Sequence, residues 1–109
     1  MTGVVWRVLL LGGLLSGCAS LPQHEARIEA ETVTLVLRAP HAVNVQLVAS
    51  SNQFAPVPAR RDQDGVWVVR GLANADFQYF YLVDGLVALP DCRIKVSDDF
   101  GAMNCRHLP

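Results

Sequence analysis

Apolar and polar residues alternate through most of this chain with a two-residue period, the signature of strands that bury one face. The clearest run is Phe77–Val83, where Phe77, Tyr79, Tyr81 and Val83 line one face and Gln78, Phe80 and Leu82 the other. It stops at Asp84-Gly85, a pair suited to a type I′ hairpin turn, which needs positive φ at both central residues. Val33, Leu35 and Leu37 alternate in the same way between Thr32 and Arg38. Ala39-Pro40-His41-Ala42 breaks that run, and Val43, Val45 and Leu47 form the inward row of a second predicted strand. Pro56 and Pro58 restrict Val57 to an edge strand at most, because Pro has no N–H to give to a central ladder. A turn at 62–65 leads into a strand at 66–70 carrying Trp67, and a second turn at 71–76 leads into the Phe77 strand. Beyond Gly85 the pattern predicts strands over 86–89, 92–96 and 103–108, with a turn at 98–101. Turn residues recur roughly every ten to twelve positions, the spacing of an antiparallel sandwich. The expected fold is all-β, a small antiparallel β-sandwich of about seven strands over residues 32–109.

The N-terminus follows a different pattern. Arg7 precedes the apolar stretch 8–15, which is too short to cross a bilayer and has the layout of a signal peptide. Leu15-Ser16-Gly17-Cys18 directly after it resembles the lipobox of bacterial lipoproteins. That resemblance implies removal of residues 1–17 and lipidation of Cys18, with more than one acyl chain giving stable anchoring. Polar residues then make 18–31 the lipidated cysteine and a linker. The expected location is the bacterial cell envelope, the outer membrane if the cell is Gram-negative, since no Asp follows Cys18. With Cys18 lipidated, Cys92 and Cys105 are left as a pair in an oxidising compartment, and a disulfide is predicted between them.

Composition narrows the chemistry. The chain has 109 residues, 51% hydrophobic and 17% charged, with formal net charge −1, so nothing in its charge favours nucleic acid. His24, His41 and His107 stand apart in no metal-ligand spacing and read as surface residues. Asp98-Asp99 sits beside Gly101 in a turn, where Asp serves local backbone hydrogen bonds better than acid–base chemistry. Without a phosphate loop, a nucleophile elbow or a Cys–His pair, the expectation is a protein that is not an enzyme and uses no metal or cofactor.

The order of motifs is similar to a known family. Val33 to Leu47 resembles the opening of early-set immunoglobulin-like domains, in which a strand ends in Ala-Pro and a Val-x-Val-x-Leu strand follows. Gly65-Val66-Trp67, the run from Tyr79 to Gly85, and Phe100-Gly101-Ala102-Met103-Asn104 follow in order. Together they resemble the glycogen-binding domain of the AMP-activated protein kinase beta subunit and the family-48 carbohydrate-binding modules. The resemblance implies an immunoglobulin-like sandwich and a glucan site at Phe54, Phe80, Val87, Phe100 and Asn104. Of these, Phe54 stands where the family has a stacking Trp, Phe80 where it has Lys, and Val87 where it has a second Trp. A sugar site needs a flat apolar ring and polar partners for hydroxyls. The substitutions keep aromatic surface and remove hydrogen-bonding groups, and a cluster of that kind suits protein contact as well. Two readings therefore stand: a membrane-tethered module that binds an α-glucan or envelope polysaccharide, and an assembly module that docks a protein through the same patch.

Overall fold

The computed structural model describes residues 23–109. The expected signal peptide, the lipidated Cys18 and the first part of the linker lie outside the described residues. Ten strands follow in order: β1 (His24–Glu29), β2 (Thr32–Arg38), β3 (Val45–Ala49), β4 (Val57–Pro58), β5 (Arg60–Gln63), β6 (Val66–Ala73), β7 (Phe77–Val83), β8 (Leu86–Ala88), β9 (Lys95–Ser97) and β10 (Met103–His107). They form two antiparallel sheets. One has the order β1-β2-β6-β5; the other runs β4-β3-β7-β10-β9, with β8 paired to β7 as well.

The core is built from the alternating rows. Val33, Leu35 and Leu37 of β2 meet Trp67 and Val69 of β6 on one side, and Val45 and Leu47 of β3 join Phe77, Tyr79 and Tyr81 of β7 on the other. Period-two alternation brings each row to a single face, so stacking the two sheets removes both rows from water together. Fully burying side chains of this size contributes roughly 1.5–3 kcal/mol apiece before entropy is counted. Asp84 and Gly85 take φ of 51° and 82°, the left-handed pair that a type I′ turn requires. At Gly65 the reason for glycine is proximity, since an added Cβ would lie 3.1 Å from Pro40 Cα and from its Cβ. The disulfide links Cys92 to Cys105 with their Cα atoms 6.0 Å apart, tying the segment ahead of β9 to β10.

Several expectations are corrected. The stretch read as linker includes strand β1, paired along its whole length with β2 from His24↔Leu37 to Glu29↔Thr32. The residues paired with the core row of β2 are His24, Ala26 and Ile28, of which only Ile28 is strongly apolar, so its period is faint in the sequence. Val43 does not belong to the inward row of β3; it is 81% exposed in a bend ahead of that strand. The side chain of Asp84 holds the bend, accepting from the amides of Val43 (2.9 Å) and Asn44 (2.7 Å). β9 begins at Lys95 rather than Cys92, because Pro90 and the disulfide fix the chain ahead of it. The count of about seven strands becomes ten through short edge strands such as β4 and β8.

Candidate functional site

Residues of even number on β7 point away from the core. Phe80 lies opposite Val48 of β3 and Leu82 opposite Gln46, while on the other side Leu82 meets Val87 of β8. β10 pairs with β7 through Cys105↔Tyr79 and Arg106↔Gln78, and the same register carried one residue further sets Asn104 beside Phe80. The outer face of the second sheet thus carries an apolar strip of Val48, Phe80, Leu82 and Val87. Amides border it: Asn104 Nδ2 donates to Gln78 Oε1 at 3.3 Å. Phe80 is outside the core cluster and only half-buried, as its parity predicts.

Phe54 stands on the β3–β4 connection, whose first residue, Ser50, accepts a hydrogen bond from the Gln78 amide of β7 at 2.9 Å. A single 3-10 turn, Ser50–Asn52, ends at Gln53 in the left-handed conformation, and Phe54 follows with φ of 61°. Two consecutive left-handed residues other than glycine cost of order 1–3 kcal/mol each and persist only where the surroundings impose them. Here the amide of Phe54 donates to the Ala49 carbonyl at 2.9 Å, and Asn52 Nδ2 donates to the Ala55 carbonyl at 3.2 Å. The loop holds a ring that is 46% exposed.

Phe100 stands in the β9–β10 turn and is 95% exposed. Asp98 Oδ1 accepts from the amides of Phe100 (2.8 Å) and Ala102 (2.9 Å), the local role expected for Asp in this turn. Of the five expected site residues, Phe80, Val87 and Asn104 share one face, while Phe54 stands on the β3–β4 connection and Phe100 in the β9–β10 turn. The face is a surface rather than a pocket, for the three best-formed clefts among the described residues are lined by none of the five.

A cleft of about 490 Å³ opens between β1 and the segment 91–94 on the side of the sandwich. It overturns the surface reading of two histidines. His24 sits on the inward side of β1, shares a 3.0 Å hydrogen bond with the Tyr81 hydroxyl and stacks on Tyr79 at 5.7 Å. Burial pushes its pKa down to about 4 against a smaller opposing pull from Glu25. Burial likewise raises Tyr79 to about 12. His107 is buried on β10 with Nε2 2.8 Å from Asn74 Oδ1, and burial lowers its pKa too, Asp76 opposing. Pattern reading misses such residues, because an inward polar side chain breaks the apolar row that would mark it. Among the described residues no group of His, Cys, Asp or Glu is arranged to hold a metal ion.

These features define a class: a small antiparallel β-sandwich with an outward aromatic and amide face on one sheet. No protein-family model and no curated protein matches the chain. A solved structure titled pullulanase from Bacillus acidopullulyticus is similar in fold, with a TM-score of 0.58 and 17% identity over 82% of this chain. This chain spans 13% of that chain, so the likeness concerns one part of a much larger protein.

Proposed function

We propose that this chain is a non-catalytic binding lipoprotein of the bacterial envelope, tethered through Cys18, whose carbohydrate-binding-like sandwich engages a glycan through Phe54 and the Phe80 face. The observation that carries the reading is Phe54. An exposed aromatic ring on strained backbone is costly to keep, and its loop is bonded through Ser50 to Gln78 of β7, whose amide lies with that of Asn104 beside Phe80. A flat ring for the apolar side of a sugar and amides for its hydroxyls is what a glycan surface needs. The fold likeness to part of a pullulanase is compatible with a polysaccharide ligand. The 18–31 stretch, shortened by β1, keeps the face near the membrane that the lipid enters.

A second reading, docking of a protein on the same face, draws on the exposed aliphatic side chain of Val87 (71%), which lies on it opposite Leu82. Affinity electrophoresis of the domain in gels with and without glycogen or an envelope polysaccharide separates the two. Glycan binding predicts retardation without release of reducing sugar. It also predicts that Phe54→Gly abolishes retardation while the domain stays at least as stable as Phe54→Ala, by about 1 kcal/mol, because glycine relieves the left-handed strain. Unretarded migration at high polysaccharide, together with loss of a co-purifying protein on Phe80→Asp, would move the assignment to protein docking.

A further inference from the structure

Among the described residues no strand pairs with the outer edge of β1. β1 ends its sheet, and its outer edge borders the side cleft, where Ala26 and Ile28 are exposed. The Arg38 amide donates to the Gln23 carbonyl at 2.8 Å, which makes Gln23 and Arg38 a hydrogen-bonded pair. In an antiparallel ladder such pairs alternate, so Glu25, Arg27 and Glu29 turn their N–H and C=O groups toward β2. Those of His24, Ala26 and Ile28 point to the open edge. Protein edges are ordinarily blunted against pairing by charge. The charges on this edge are self-complementary instead.

We propose that two copies of this chain associate about a two-fold axis at Ala26, β1 against β1 and antiparallel, joining their four-stranded sheets into one. In that register Ala26 faces Ala26 of the second copy as a hydrogen-bonded pair, and His24 faces Ile28. Glu25 then stands directly opposite Arg27, twice by symmetry, and Gln23 opposite Glu29. Each Arg27, already 2.6 Å from Glu25 of its own chain, lies between two carboxylates. Opposite charges facing across strands are favourable and like charges are not. Moving the axis by one residue sets Glu25 against Glu25 or Arg27 against Arg27 in the close, non-hydrogen-bonded positions, so charge selects the Ala26 register. The pairing also covers Ile28, a large aliphatic side chain left 55% exposed in the single chain. An isologous contact of this kind closes on itself and stops at two copies.

Site-directed crosslinking of the full chain in cells tests this. Ala26→Cys places two thiols across the axis with Cα atoms about 5.5 Å apart, within disulfide reach. The substitution touches no β1–β2 backbone bond. Under mild oxidation the Ala26→Cys chain should run as a covalent dimer on non-reducing gels while the native chain, which carries Cys18, does not. Adding Arg27→Glu should abolish the dimer, and combining Glu25→Arg with Arg27→Glu should restore it. A thiol at position 26 that reacts with maleimide yet gives only monomer would overturn the proposal. So would an adduct whose mass requires a different protein, or a dimer indifferent to the charge series.

Discussion

His24 is a titratable group in surroundings that disfavour its charge, and this gives the fold a dependence on pH. It is bonded to Tyr81, stacked on Tyr79 and neutral at pH 7, with its pKa lowered from 6.5 to about 4. The unfolded chain takes up that proton near 6.5 and the folded chain only near 4, so between these values the unfolded state binds more protons. Stability therefore falls as pH falls through this window, by up to about 3 kcal/mol, and this group adds no further loss below it. Thermal melts at pH 7 and 4.5 should show a smaller drop for His24→Gln than for the native domain. Equal drops would remove His24 as the cause. The burial of His107 acts in the same sense, and the paired comparison separates the two. Nothing in the sequence distinguishes His24 from exposed His41; only the pairing of β1 with β2 turns it inward.

Among the elements, β7 is central, pairing with β3, β10 and β8. Its alternation makes one face core and the other the candidate binding surface, which is why a single run of residues carries both. Asp84 at its end has two tasks. Its backbone adopts the left-handed turn, and its carboxylate anchors the bend that delivers the chain into β3. Asp84→Ala should lower stability by about 2 kcal/mol, since hydrogen bonds to a charged acceptor are each worth roughly 1.5–3 kcal/mol and this site is exposed. Asp84→Asn keeps both an acceptor and tolerance of positive φ and should lose less than half of that. Chemical denaturation of the two variants checks the order, and equal losses would show that tolerance of positive φ and a neutral acceptor make no difference, leaving the carboxylate charge as the cause.

For the whole molecule, the second sheet is closed at its far side by covalent means. β9 is a three-residue edge strand, and the segment ahead of it is held to buried Cys105 by the disulfide. Removing the bridge with Cys92→Ala and Cys105→Ala should cost about 3 kcal/mol by the chain-entropy estimate for a loop of this length. A domain of this size has little to spare, so the expected outcome is a melting temperature lowered by well over 10 °C. A drop of only a few degrees would show that β10 and β7 hold the segment without help.

The sequence by itself determined the parts that depend on local period and turn chemistry. β2 and β7 fall where alternation places them, Asp84-Gly85 turns as its backbone preference requires, Val57 lies in an edge strand as its flanking prolines demand, and Cys92 pairs with Cys105. The tertiary structure alone decided what depends on partners distant in the chain. It made β1 a strand, because β2 supplies the ladder that its weak pattern cannot advertise. It turned two histidines inward and set Gln78 and Asn104 beside Phe80, since register between strands far apart in sequence is fixed by packing. It also left Phe100 almost fully exposed on its turn. Pairing energies between distant segments are collective, and no single residue records them.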